Sequence, residues 1–319
     1  MAIYPNIRSE QEHALTSKIS FSLLRELERG NTIPDFSRNT VMIAYLVLVH
    51  RYPEQFKRLF RAIYHPENHY LVHVDKSSGK EISNTISTYL EDYPNAEVLE
   101  PENALWGGYS LVNIELRGMA KLLETSKNWT HFINLSGQDF PLKTQAYIHN
   151  FLAENPSKEF IRALDQNENR PETMNRIHNM CFEFGEQLYR PKLSRRFMTG
   201  ITPFIGTQWM IVSRKFCDFV CNTRVSEPYK EFYKNTFIAD EGFFQTVMMN
   251  NDCHGEVIQD DLRMIDWVPD GDIKLRPRTF HIGDASELIS STNLFARKFD
   301  LLQDEEVIDK IELHLASAM

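Results

Sequence analysis

From Val41 onward, apolar residues arrive in continuous runs rather than in alternation. "VMIAYLVLVH" (41–50) is apolar throughout and β-branched in part, the pattern of a strand buried on both faces. In "PEQFKRLFRAIYH" Pro53 opens a helix, and Phe56, Leu59, Phe60 and Ile63 recur on one helical face. "HYLVHVD" is a second buried strand and ends on Asp75. A helical stretch over 80–92, the short strand "AEVLE", a helix from Ser110 to Leu123 and the strand "HFINLS" follow. This alternation predicts an α/β fold with a mostly parallel central sheet and helices on both faces. Ligands of such sheets sit outside the carboxyl ends of the strands, where His50, Asp75 and Ser136–Asp139 all fall.

The pattern differs on either side of this region. Residues 1–40 are polar with one amphipathic stretch, "SKISFSLLRELERG", read as a helical extension that ends at Gly30. Residues 160–200 are charged and aromatic, a long and partly helical excursion. "TQWMIVSRKFCDFV" then resumes a strand and a helix, and "FIADEGFFQTVMMN" reads as an acidic turn opening a helix, since Asp240 and Glu241 suit a helix N-terminus. Neither G-x-G-x-x-G after the first strand nor G-x-x-x-x-G-K occurs, so standard dinucleotide and P-loop readings fail.

Composition narrows the function. The chain has 319 residues and a net charge of −9, without the basic footprint that nucleic-acid binding needs. No stretch reaches the roughly 18 apolar residues of a membrane span, so at most peripheral membrane association is expected. "MAIYPNIRSEQEH" lacks the layout of a signal peptide, and the four cysteines (Cys181, Cys217, Cys221, Cys253) are too scattered for a disulfide framework. Cys217 and Cys221 share a helical face, but no second pair completes a zinc site. Core thiols in a reducing compartment are expected, and a cytoplasmic location.

The strand "HFINLS" runs into Ser136-Gly137-Gln138-Asp139. An acid at such a strand end can meet a metal holding a nucleotide diphosphate, a sugar hydroxyl, or only the hydrogen bonds of its own turn. Asp270-Gly271-Asp272 offers two acids, but it lies in a loop away from the nucleotide-site strands and reads as a solvated turn. His73 and Asp75 point to one sheet face with no third metal ligand evident.

Eight blocks, in order and over most of the chain, resemble the core-2/I-branching glycosyltransferases, a family that includes peptide O-xylosyltransferases. They are "AYLVLVH", "AIYHPENHYLVHVDKSS", "WGGYSLV", "FINLSGQDFPLKT", "QWMIVSRKF", "ADEGFFQTV", "LRMIDW" and "LFARKFD". The resemblance implies a GT-A-type fold, a UDP-sugar donor, a glycan or peptide acceptor, inversion at the anomeric carbon and catalysis with neither metal nor other cofactor. It divides residues 41–319, taken as one catalytic domain, into a nucleotide-sugar half (41–150) and an acceptor and catalytic half (151–319).

Each implied role can be set against chemistry. Inverting transfer needs a base for the acceptor hydroxyl and positive charge for the departing diphosphate. Glu241 matches the family's base; partial burial beside Phe243 and Phe244 would raise its pKa, and Asp240 is the rival acid. One carboxylate at Asp139 makes a poor divalent site, because Mg²⁺ wants several oxygens. Asp139 then fixes the turn that shapes the donor-sugar pocket. Arg297 and Lys298 in "FARKFD" match the pair that contacts the UDP phosphates, and Arg278 in "RPRTFHIGD" is a possible third cation. Asp75 matches a donor-site acid, and Leu48 and His50 lie near where the family seats the uracil.

Trp106 and Trp209 match the xylosyltransferase side of the family, where indoles suit the apolar faces of sugars, so UDP-xylose is favoured over UDP-N-acetylglucosamine. That pattern has an acid before the second tryptophan; here it is Gln208. With few cysteines and no anchor, the resemblance points to a bacterial enzyme building a surface glycan. Two other classes stand beside it: a UDP-sugar or glycan-binding protein of the same fold without turnover, and a retaining glycosidase. The last needs carboxylates about 5–5.5 Å apart, whereas the consecutive Asp240 and Glu241 diverge.

Overall fold

The computed structural model describes residues 41–270 and 275–318. The expected amphipathic helix near residue 30 lies outside the described residues, as do Gly271 and Asp272 of the acidic loop. Val41 to Met319 form one compact unit. Its first half alternates as the hydrophobic runs predict: β1 (Ile43–Val49), α1 (Pro53–Ile63), β2 (His69–Val74), α2 (Lys80–Leu90), β3 (Ala96–Leu99), α3 (Ser110–Thr125) and β4 (His131–Ser136). Then come β5 (Asp139–Pro141), α4 (Gln145–Glu154) and β6 (Lys158–Ile161).

The excursion after residue 160 holds short helices, among them Asn175–His178, and a hairpin of β7 (Phe182–Phe184) and β8 (Gln187–Tyr189). The chain returns with β9 (Met210–Ser213), α5 (Arg214–Asn222), α6 (Glu227–Tyr233), α7 (Phe243–Met249) and β10 (Glu256–Ile258). Last are β11 (Arg263–Ile265), β12 (Phe295–Arg297) and α8 (Glu306–Ser317).

Seven strands form the central sheet in the order β10-β6-β9-β4-β1-β2-β3. All neighbours run parallel except β9, which is antiparallel to both β4 and β6. All seven β1 residues are buried, and alternation divides them between two cores. Ile43, Tyr45, Val47 and Val49 join Phe56 and Phe60 of α1 and Ile308 and Ile311 of α8. Ala44, Leu46 and Leu48 join Val112 and Met119 of α3 and Phe216 of α5. Gly118 lets α3 approach: a Cβ there would stand 2.8 Å from Leu46 Cδ2. On the other face the Tyr45 and Tyr70 rings stack at 5.3 Å. The cysteines are free, with Cys181, Cys217 and Cys253 buried. Among the described residues no helix is long and apolar enough to cross a membrane.

A second sheet, β11-β12-β5, joins mid-chain β5 to two strands late in the chain and sets up the site. Register places Arg297 of β12 opposite Asp139 of β5. Buried Gln55 of α1 reinforces the join: its amide donates to the carbonyls of Gly137 and Phe299 (both 3.1 Å), and its oxygen accepts from Leu301 N (3.0 Å). The Phe299 N–H also donates to Gln138 O at 2.9 Å. The turn after β4 and the segment carrying Lys298 are thus held together although far apart in sequence.

Candidate active site

The carboxyl ends of β1, β2 and β4 are tied by backbone bonds, Asp75 N to Val49 O and Gly137 N to Leu48 O, both 2.8 Å. The Asp75 carboxylate accepts from Ser77 N (2.8 Å), Ser77 Oγ (2.6 Å) and Ala104 N (3.1 Å), which places the segment leading to Trp106. His73 Nε2 accepts from Glu102 N at 3.1 Å. Burial first of all lowers the His73 pKa to about 4, so the imidazole is neutral and engaged. Among the described residues no three His, Cys, Asp or Glu side chains are grouped to hold a metal ion.

Asp139 fixes its own turn, accepting from Ser136 N at 2.9 Å, and it also takes Arg297 Nη1 at 2.6 Å. Arg263 Nε lies 3.6 Å away, in an environment where Arg263 and Asp139 are both fully buried. Asp139 and Arg297, read separately in the sequence, are therefore partners. The guanidinium groups of Arg263 and Arg297 lie over the ring of Trp209, 4.8 and 4.5 Å from its centroid. Trp209 is only 5% exposed, so its ring supports cations, whereas Trp106 is 61% exposed and meets Phe237 edge-on.

Arg297 and Lys298 belong to a larger gathering of cations. Burial lowers the Lys298 pKa, and the charges of Arg51, Arg297 and Arg276 lower it further. His50 stands in the same field: desolvation, then Arg51, Arg297 and Lys298, push its pKa to about 4 against the pull of Asp75. Arg51 donates to Gln138 Oε1 at 2.9 Å and lies 3.9 Å from Asp300. Arg278, the expected third cation, bonds instead to Asp266 (2.6 Å) and Asp284 (2.8 and 3.0 Å), and these carboxylates raise its pKa. The sequence reading missed Arg51 and Arg276; the available signals were the place of Arg51 beside His50 and of Arg276 in the same "RPRTFHIGD" stretch.

Glu241 ends a single turn, Ala239–Glu241, that enters from Ile238 in the left-handed region (φ 54°). Its backbone carbonyl accepts from Gly206 N at 2.8 Å, and its carboxylate takes Arg176 Nη1 at 2.6 Å, a partner the sequence did not suggest. Glu241 is partly buried, as expected beside Phe243 and Phe244, and Asp240 is the more deeply buried of the two. Desolvation, then the charge of Glu241, raise the Asp240 pKa to about 7, and its Oδ1 has no partner. Below it, Glu115 accepts from Asn134 (2.7 Å) and from Gln208 (3.2 Å), and burial raises its pKa to about 8. Gln208 thus donates to an acid contributed by α3.

Residues 43–289 match the family model described as Core-2/I-Branching enzyme. The chain is 30% identical over 293 residues to xylosyltransferase 2 of Rattus norvegicus, covering 86% of this chain and 34% of that one. It is 29% identical over 294 residues to a xylosyltransferase of Ciona intestinalis, with coverages of 86% and 34%. It therefore spans about a third of the length of these relatives. Among solved structures it is similar to a 4-diphosphocytidyl-2C-methyl-D-erythritol synthase of Anaerococcus prevotii, with a TM-score of 0.35, 9% identity and coverages of 68% and 88%.

Proposed function

Because the chain belongs to the Core-2/I-branching enzyme family of glycosyltransferases, we propose that it moves a sugar from a UDP-sugar to a hydroxyl of a glycan or peptide, with inversion and without a metal. The observation that carries this reading is the convergence of Arg51, Arg297 and Lys298 beside His50, with Arg276 in the field of Lys298, in a chain of net charge −9. Like charges held together raise one another's free energy, and they add to the burial that already lowers the basicity of Lys298. A bound diphosphate relieves it, most of all when negative charge grows on the leaving oxygen.

In the proposed step, Glu241 takes the proton of the acceptor hydroxyl while that oxygen bonds to the anomeric carbon. The bond from this carbon to the β-phosphate oxygen breaks, and its electron pair leaves with UDP. Arg176 orients the Glu241 carboxylate. The two oxygens of Asp139 are already committed to Arg297 and Ser136 N, which supports charge compensation by cations. Leu48 and the neutral His50 seat the base of the nucleotide, Asp75 holds the segment before Trp106, and the exposed Trp106 ring covers the transferred sugar. UDP-xylose is the proposed donor.

Proton NMR of the product tests both assignments. With UDP-xylose, whose sugar is α-linked, the expected product is a β-xyloside. An α-linked product removes the single-displacement mechanism, and faster turnover of UDP-N-acetylglucosamine removes the donor assignment.

A further inference from the structure

The hairpin of β7 and β8 stands outside the central sheet, and its two faces differ. On one face Glu183 accepts from Ser110 N at 2.9 Å and lies against Gly108, anchoring the hairpin to the loop after Trp106. On the other, register pairs Phe182 with Tyr189 and Phe184 with Gln187, and Phe184 and Tyr189 are 67% and 61% exposed. The chain continues into Arg190, Pro191 and Lys192, which with Asn179 line an open hollow of about 330 Å³.

This hollow adjoins the proposed active site on two sides. The Arg190 guanidinium lies 3.9 Å from the centroid of Phe237, whose ring meets Trp106 edge-on at 6.0 Å. Asn179 directly follows the helix Asn175–His178, from which Arg176 holds Glu241. Arg190 and Lys192 are exposed, and neither joins an ion pair among the described residues, although acids outnumber Lys and Arg by nine in the chain. Two exposed cations without an ion pair among the described residues, which follow directly on a hairpin with exposed Tyr189 and Phe184 rings, ask for a ligand with a carboxylate and an apolar ring face.

We propose that this surface binds an acidic saccharide acceptor, a glycan bearing uronic-acid carboxylates; the proposal rests on the glycosyltransferase reading above. Arg190 and Lys192 take a carboxylate by charge-assisted bonds, and the neighbouring pyranose rings lie on Tyr189 and Phe184. The cations would take the carboxylates of an acidic peptide as well, and it is the exposed rings of Tyr189 and Phe184 that favour a saccharide, whose pyranose faces stack on them.

Calorimetric titration of the full chain with tetragalacturonate, cellotetraose and an octapeptide of Asp and Glu, each with UDP present, tests the assignment. The expected result is tetragalacturonate binding at least about tenfold tighter than cellotetraose, lost by a similar factor in Lys192→Glu and in Arg190→Ser. Raising salt to 0.5 M should weaken it, because the charges are exposed. Equal affinity for the acidic and neutral tetrasaccharides overturns the proposal, as does binding of the acidic peptide alone or unchanged affinity in both variants. UDP binding is read separately on the same samples: a chain that binds tetragalacturonate but not UDP contradicts the donor assignment and leaves the acidic surface standing.

Discussion

Asp240 lies buried with one carboxylate oxygen lacking a partner, while Glu241 reaches Arg176 and is about 30% exposed. Only Glu241 has the access that a proton acceptor for an incoming hydroxyl needs. Asp240, with its pKa near 7, is an acid whose charge would oppose that of its neighbour. Among the cations, Lys298→Ala should weaken UDP binding about tenfold or more, read by calorimetry, because one charge-assisted bond is lost and no buried carboxylate is orphaned. Arg297→Ala removes the 2.6 Å partner of fully buried Asp139. It should lower unfolding free energy by about 3 kcal/mol in urea, near the lower end for a broken buried pair because Arg263 still faces the acid. Individual residues were legible in unequal measure. Glu241, Arg297 and Lys298 stand in recognisable blocks, but the Arg297–Asp139 partnership spans 158 positions and leaves no local mark in the sequence. Arg176 was equally silent, since a lone arginine in an irregular segment looks like any solvated charge, and Arg51 was marked only by its place beside His50.

The strands and helices of the first half follow from their apolar runs, because a strand buried on both faces and an amphipathic helix each have a distinct period. The second sheet does not: β5, β11 and β12 are three residues each, too short for periodicity, and only long-range pairing defines them. The same holds for the hairpin of β7 and β8 within the irregular stretch. What joins these short strands to the main sheet is Gln55, which serves two carbonyls and one N–H from the turn after β4 and from the segment after Lys298. Gln55→Leu keeps the bulk and strands Gly137 O and Leu301 N, while Phe299 O keeps a bond from Gln138 Nε2 at 3.1 Å. It should cost about 2–3 kcal/mol in urea unfolding and weaken UDP binding, because unsatisfied buried groups are expensive and the cation segment loses its tether. A variant with normal stability and normal UDP affinity would show that β5 and β12 hold the segment without help.

At the scale of the whole molecule, buried ionisable groups set opposing pH trends. Burial lowers the pKa values of His50, His73, His131 and His149 to about 4, so the unfolded chain binds more protons between about pH 4 and 6.5. Stability therefore rises with pH across that window. Asp240 and Glu115 have raised values, about 7 and about 8, so the folded chain binds more protons from about pH 4 up to those values, and stability falls as pH rises. Of these groups, only the acids act above pH 6.5. Thermal unfolding should show maximal stability near pH 6.5 and a decline toward pH 8 that flattens in Glu115→Gln; an unchanged decline in that variant would place the effect elsewhere. The central claim is that Glu241 and the cation group carry out sugar transfer without a metal. It is tested most directly by UDP release from UDP-xylose with EDTA present, wild type beside Glu241→Gln. Release should persist under chelation and fall at least about a hundredfold in the variant; release that requires added Mn²⁺, or a variant as fast as wild type, contradicts it.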